Sequence, residues 1–391
     1  MEHKITNNRK WFLKFTILLY FSTVGIILPY FPLLFSHRGL DSSQIGTLLA
    51  IGPFVSTLVQ FLWGVVSDRL QTVKKLVIFL LIMGGLSSNL IFSSESFRSL
   101  LAAVFIFYAF AWPVIPLLDS LTLATVKETG EGYGSYRLWG SLGFAISALL
   151  GGTILKTIGI ENVGYLYQGL LCACILMCTL ILDTRPSAHR VTFNEAKRIL
   201  GRKEILVFLF IATLLSTTNK ANDAFLGLYI QHLGGSEQAV GWAWTVAPLS
   251  EIPIFAFSGY LMTRFHELYL LALASIAFGL RWILFSLVQS PEMLIPVQLL
   301  HSLTFGLFFM SAVGYMSRLV PQNLRASGQG LLSTFIGGVA GIFGSYMGGI
   351  LFSSGPRLLY ISLAIVSLCT FWFFYRHYKS TVQKIAAKKT S

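Results

Sequence analysis

Long apolar runs broken by short polar stretches fill this chain from residue 11 to residue 376. A helix rises about 1.5 Å per residue, so a hydrocarbon core of about 30 Å is crossed in about 20 residues. On that ruler the pattern predicts about twelve helices, over 11–36, 44–66, 76–93, 98–126, 133–157, 163–182, 204–231, 239–262, 267–288, 292–317, 326–352 and 356–376. These are helix-length spans, not the short alternating strands of a membrane barrel. The longest polar break, Asp183–Lys203, lies near the middle. It divides the chain into a six-helix bundle at 1–182 and another at 204–378, followed by a basic tail at 379–391. Its charges and Pro186 read as a linker, 183–203, carrying a short amphipathic helix rather than a domain.

Composition agrees with an all-α integral membrane protein. Of the 391 residues 54% are hydrophobic and 12% charged, whereas soluble chains carry about 25% charged residues. The net charge of +13 does not point to nucleic acid, because the cations sit between apolar spans instead of forming one patch. They are also unevenly shared. One set of connections holds Lys4, Arg9, Lys10, Arg69, Lys74, Lys75, Lys127, Arg264, Arg318 and Arg325, the cations of the middle linker, and those of the tail; the other holds only Arg38, Arg98, Lys156 and Arg357. The positive-inside rule then places both termini and the middle loop in the cytoplasm of a plasma-membrane protein. The first apolar stretch exceeds a signal-peptide core and lacks a small-residue cleavage site, so it reads as a retained span. Cys172, Cys174, Cys178 and Cys369 all fall inside apolar spans. No disulfide framework is implied, and no His or carboxylate stands beside them to build a metal site.

One carboxylate breaks the apolar pattern most sharply. Glu251 lies near the middle of Gly241–Gly259, where a charge costs roughly 3 kcal/mol on insertion scales. Such groups face a partner or a wet cavity. Arg281 and His301 stand in the next two spans. Measured from the outer surface, the three lie roughly 18, 11 and 14 Å deep, which predicts one constellation. A carboxyl taken out of water keeps its proton more readily, and a nearby guanidinium opposes this. A change in the Glu–Arg distance would therefore load or release a proton, with His301 as relay or hydrogen-bonding group. Asp119 and Arg137 form a second candidate pair. They flank the turn at 127–132 on antiparallel helices, both about 8–12 Å deep. Lys220, Asn222 and Asp223 share the seventh span, where Lys220 and Asp223 are i,i+3 neighbours and can pair.

A weak internal repeat supports the division into halves. Gly64, Asp68 and Arg69 close the second span, and Gly259, Thr263 and Arg264 close the eighth with the same spacing. Two six-span halves, a long middle loop and GVVSDRLQTVKK after the second span resemble the major facilitator superfamily. Leu70-Gln71 stands where that family commonly has a glycine. The resemblance implies that Gly64, Asp68 and Arg69 form a cytoplasmic gating contact. It also implies two pseudo-symmetric six-helix bundles with a substrate site near the midplane.

Most of the chain is similar to the oligosaccharide:proton symporters and the phenylpropionate permeases. The likeness rests on LPYFPLLFSHRG (Leu28–Gly39), YRLWGSLGF (Tyr136–Phe144), SEIPIF (Ser250–Phe255), LRW (Leu280–Trp282), LLHSLTFGLF (Leu299–Phe308) and RASGQGL (Arg325–Leu331). It implies that Asp119 and Arg137 grip the solute. Phe144 replaces the Trp that stacks on a sugar ring, and Trp139, Asn222 and Asp223 stand nearby as binding candidates. Thr304 occupies the position of the symporters' proton carboxylate, so Glu251 becomes the candidate for that task.

The expected protein is a secondary transporter working by alternating access and coupled to protons. It would take up a phenylpropionate-like aromatic acid, a sugar or a nucleoside. Proton-coupled efflux of drugs or metabolites is the alternative, and a membrane sensor would need an output domain. No phosphate-binding Gly–Lys loop and no nucleophile–base–acid set is visible, so neither an ATP motor nor an enzyme is expected. The proton gradient supplies the energy, no cofactor or metal is needed, and the partners are solute, protons and lipid bilayer, with a monomer expected.

Overall fold

Described here is a computed structural model covering residues 2–183 and 193–390. It is almost wholly helical, with no strand among the described residues. Among the described residues eleven helical spans are long and apolar enough to cross a bilayer. The helix pair Glu237–Ala256 and Ser258–Arg264, bent by 54°, makes up to twelve if taken as one span. The expected eighth span is thus broken. Pro248 and Pro253 lie inside its first piece, where each removes an N–H from the ladder.

The helices are α1 (Glu2–His37), α2 (Ser42–Leu70), α3 (Lys74–Ser93), α4 (Phe97–Ala111), α5 (Val114–Thr129), α6 (Tyr133–Ile158) and α7 (Val163–Leu180). After them come α8 (Phe193–Leu200), α9 (Lys203–His232), α10 (Glu237–Ala256), α11 (Ser258–Arg264), α12 (Glu267–Leu287) and α13 (Pro291–Val297). The last four are α14 (Leu307–Leu319), α15 (Arg325–Ser333), α16 (Ala340–Ser353) and α17 (Pro356–Thr390). In the expected linker, α8 is the short helix, and residues 184–192 lie outside the described residues. Two stretches are wound more loosely, Ser302–Gly306 and Thr334–Val339, both π-helices. Nothing in a hydropathy pattern announces them.

Packing groups the chain into two compact units. The first is Met1–His189 with Leu226–Thr245; the second is Arg190–Phe225 with Val246–Ser391. The linker at 183–203 divides the chain by sequence, but packing assigns 226–245 to the first unit. The cause is glycine. A Cβ on Gly241 would stand 2.5 Å from the Ala148 carbonyl oxygen, and one on Gly152 would overlap the Glu237 carbonyl. Two backbones meet there directly, and Thr245 Oγ1 donates to the Ala145 carbonyl at 3.1 Å.

Within the first unit α1 lies along α6 and α7, and α3 against α4 and α7. The break between α4 and α5 follows from Pro113, which has no N–H to offer Ala109. The indole of Trp63 donates to the freed Ala109 carbonyl at 2.9 Å instead. Tyr20 Oη does the same for Ala111, at 2.9 Å. Two side chains thus satisfy carbonyls that a proline-interrupted helix would leave bare in hydrocarbon. The N-terminus of α3 is closed by Asp183. Its carboxylate accepts from Val73 N at 3.0 Å, from Lys74 N at 2.9 Å and from Thr72 Oγ1. An anion suits that helix end. At the other end of α3, Arg38 donates to the carbonyls of Ile91, Phe92 and Ser94.

The loop between α5 and α6 is pinned by Glu131. Lys10 reaches its carboxylate at 2.8 Å and Lys14 at 2.7 Å, and the Lys14 ammonium also lies over the rings of Tyr136 and Trp11. The hydrogen bonds from Lys10 and then Lys14 hold the Glu131 carboxyl down at about 2. A carboxyl with a depressed folded value stabilises the fold above its unfolded value and loses that contribution as pH falls through the folded one. Thermal stability in detergent is therefore expected to decline between about pH 4.5 and about pH 2 by this route. Glu131→Gln is expected to lower stability at neutral pH and to flatten that acid decline. Parallel wild-type and variant curves across the window would show that the lysine contacts contribute nothing.

In the second unit α12 packs along α17 and α14, and α16 against α17. Close approach again falls on glycine. A Cβ on Gly344 of α16 would stand 2.8 Å from the Thr217 carbonyl of α9. Glu267 at the start of α12 is 4% exposed and pairs with Arg318 of α14 at 2.9 Å.

Candidate functional site

The second unit brings the predicted constellation together. Glu251 Oε1 lies 2.9 Å from His301 Nε2. His301 Nδ1 lies 2.9 Å from Arg281 Nη1, which also donates to Thr304 Oγ1 at 3.1 Å. Arg281 Nη2 donates to Gln298 Oε1. Arg281, Gln298 and Thr304 are fully buried, and His301 is 9% exposed. An uncompensated guanidinium would not survive such burial. Here it is bonded along two edges, and it faces the rings of Trp282 at 4.8 Å and Phe285 at 5.5 Å. Trp282 is itself anchored, its indole donating to Thr218 Oγ1 at 3.2 Å.

Local winding positions the chain of contacts. α13, with Pro296 inside it, ends at Val297; residues Gln298–Leu300 form a 3-10 turn, and the π-helix Ser302–Gly306 follows His301. Tightening and then loosening the helix sets how Gln298, His301 and Thr304 face Arg281. Gly306 lets α10 approach closely, since a Cβ there would stand 2.6 Å from Ile254 Cγ2, one turn along α10 from Glu251. From α9, Asp223 pairs with Lys220 at 3.5 Å and accepts from Asn219 Nδ2 at 3.0 Å. Asn222 is the preceding residue of α9. It is buried, with Tyr360 Oη donating to its Oδ1 at 3.4 Å. Its side chain also reaches the Asp223 carboxylate, so Asn222 links that group to Tyr360 of α17.

In the first unit the expected Asp119–Arg137 ion pair is not formed. Asp119 accepts from Tyr133 Oη at 2.8 Å. The Arg137 guanidinium lies over the Phe21 ring at 4.3 Å and folds along its own helix into the notch left by Gly140, where a Cβ would be 2.6 Å from Nη1. The cation is drawn back by ring and notch, and the tyrosine hydroxyl takes its place at the carboxylate. Trp139 is also placed differently from the expectation. Two residues from Arg137, and so about 200° around the helix, it packs edge-on against Trp11 at 5.6 Å and Phe15 at 5.2 Å. Phe144 lies beside Trp244 at 5.9 Å.

Of the gating motif, Gly64 is half-buried and Arg69 exposed, and the side chain of Asp68 lies outside the described residues. Gln71 has φ +53°, the left-handed conformation that glycine adopts without cost. A non-glycine residue here thus adopts a backbone that suits glycine. Sequence reasoning missed Gln298 and Asp183. Gln298 carries a local signal, a lone amide three residues before His301 in an apolar run. Asp183 carries none, because its partners lie about 110 positions away.

A helical membrane protein of about twelve spans, with buried charged side chains meeting inside its helix bundles, is built as a carrier of solutes across the bilayer. The chain belongs to the MFS_1 like family, which it matches over residues 10–362, and it is a multi-pass transport protein of the major facilitator type, not an enzyme. It is 27% identical over 353 residues to the maltose permease of Geobacillus stearothermophilus, covering 89% of this chain and 90% of the relative. It is 28% identical over 310 residues to the probable 3-phenylpropionic acid transporter of Escherichia coli strain K12, covering 76% and 79%. Among solved structures the nucleoside transporter NupG shares the fold, with TM-score 0.85, 16% identity and coverage of 95% and 99%.

Proposed function

We propose that this transporter takes up a small organic acid together with a proton, by alternating access, from outside the cell to the cytoplasm. The observation that carries the reading is the continuous contact Arg281–His301–Glu251 among membrane-spanning helices, with Arg281 and His301 buried and Glu251 half-buried. Among the described residues Glu251 has no Lys or Arg within ion-pair distance, whereas Asp223 has Lys220. That leaves Glu251 as the carboxyl free to gain and lose a proton. A carboxylate solute is supported by Arg137, which has no carboxylate partner within ion-pair distance among the described residues and lies on an aromatic ring. A guanidinium fork offers two parallel donors to an acid. Kinship with a probable 3-phenylpropionic acid transporter agrees with that class, and the maltose permease keeps sugars on the panel. Both termini and the loop at 183–203 are assigned to the cytoplasm on the distribution of Lys and Arg.

Purified protein in vesicles with an imposed pH gradient tests this, run on aromatic acids, sugars and nucleosides. Accumulation driven by inward proton movement is expected, and extrusion driven the opposite way would replace uptake by efflux. Arg137→Lys keeps the charge but loses the fork. A charge-assisted hydrogen bond is worth about 1.5–3 kcal/mol, so affinity is expected to fall about 10- to 100-fold. Unchanged affinity would return Arg137 to a purely structural role.

A further inference from the structure

Arg281 fixes the chemistry of His301, and Gln298 fixes Arg281. A guanidinium has donors only. With Arg281 Nη1 2.9 Å from His301 Nδ1, that ring nitrogen must be the acceptor. The ring proton of neutral His301 therefore sits on Nε2, 2.9 Å from Glu251 Oε1. We infer that this is a tautomer lock coupling solute to proton, with Gln298 as its positioning residue; the inference rests on the proton-coupled reading above.

In the locked state Nε2–H points at Glu251, an arrangement complementary to an ionised carboxylate. A protonated Glu251 cannot donate to a nitrogen that already carries hydrogen. Once Arg281 Nη1 turns away, Nδ1 is free, and neutral His301 can carry its proton there. Nε2 then becomes an acceptor, and Glu251 can hold a proton and donate it to Nε2. One proton enters, from the proton-rich side, onto Glu251. His301 exchanges one tautomer for the other and takes up no net charge. The released state is thus complementary to the protonated carboxyl.

The trigger is the solute. Arg281 Nε and Gln298 Nε2 are buried donors without a hydrogen-bond partner, on two side chains already bonded to each other. A solute oxygen that accepts from them competes for the guanidinium and draws it from His301. Binding of solute then favours proton loading, and by linkage a loaded proton favours solute binding. That is the sign required for symport. Gln298 contributes by holding Nη2 through Oε1, which keeps Nη1 aimed at Nδ1.

Nitrogen-15 NMR of histidine-labelled protein in nanodiscs reads the tautomer directly, with the His301 signals assigned by their loss in His301→Gln. Without solute at neutral pH, the Nε2–H form is expected. Saturating 3-phenylpropionate, taken as the organic-acid probe, is expected to shift the signals toward the Nδ1–H form. Gln298→Leu is expected to give a mixture before solute is added, whereas Gln298→Glu, which keeps an acceptor for Nη2, retains the Nε2–H form. An Nδ1–H or doubly protonated ring in the solute-free wild type overturns the lock even where proton-driven uptake stands. So does a tautomer indifferent to solute. A locked Nε2–H ring in a protein whose uptake ignores the pH gradient overturns instead the proton-coupled reading.

Discussion

Glu251→Gln is expected to abolish accumulation of solute against its gradient while leaving exchange of solute across the membrane intact. Glutamine has the shape of the glutamic side chain and offers His301 Nε2–H the same carbonyl-type acceptor at Oε1, so the 2.9 Å contact survives the change. Only titration is removed. For one coupled proton, each pH unit of gradient stores about 1.4 kcal/mol, or about tenfold accumulation, and this is expected to fall to simple equilibration. The other carboxylates are poor substitutes. Asp223 has Lys220 at 3.5 Å, Asp119 is engaged by Tyr133, and the position three residues after His301 is Thr304, which serves Arg281 as an acceptor. Wild-type and variant vesicles are compared under an imposed gradient and in solute counterflow. Full accumulation by the variant would remove Glu251 from the coupling. Loss of both activities would show that the side chain shapes the site rather than loading a proton.

Depth along the spans was enough to group Glu251, Arg281 and His301, because a helix in a membrane has a known rise and a known start. Depth does not give azimuth. Asp119 and Arg137 lie at compatible heights, yet the Gly140 notch and the Phe21 ring hold the guanidinium away from the carboxylate. The same limit applies to Trp139, which hydropathy places in the right span and packing turns toward Trp11 and Phe15. Winding is harder still to read. The π-helix Ser302–Gly306 differs from its neighbours by one hydrogen-bond register, and its residues look like any apolar helix. Fold class, by contrast, is written along the whole chain in the length of its apolar runs. The grouping of 226–245 with the first unit depends on contacts such as that of Gly241 with Ala148, which join residues far apart in sequence.

Gly143→Ala is expected to be among the most destabilising single-methyl changes in the first unit. Lipid tails are as apolar as leucine, so helices in a bilayer associate through close packing and not through escape from water. The contact of α6 with α1 is built on that principle. A Cβ on Gly143 would overlap the Leu18 carbonyl oxygen and lie 2.9 Å from its carbon. Facing it from α1, a Cβ on Gly25 would stand 2.6 Å from the Phe144 carbonyl oxygen. Ser22 Oγ donates across the same seam to the Gly143 carbonyl at 3.1 Å. Overpacking typically costs 1–3 kcal/mol when side chains can rotate aside. Here the obstacle is backbone, which cannot, so a cost of about 3 kcal/mol or more is expected. Gly169→Ala in α7 is the matched control, since nothing lies within 4 Å of its Cβ position, and alanine there relieves the helix of glycine's entropy. Thermal unfolding in detergent should separate the two variants widely. Because α6 also carries Arg137, Gly143→Ala is expected to weaken solute binding in whatever protein remains folded, at unchanged charge. Equal stability of the two variants would mean that α1 and α6 can separate by a methyl's width at no cost, and the close backbone approach would then hold nothing together.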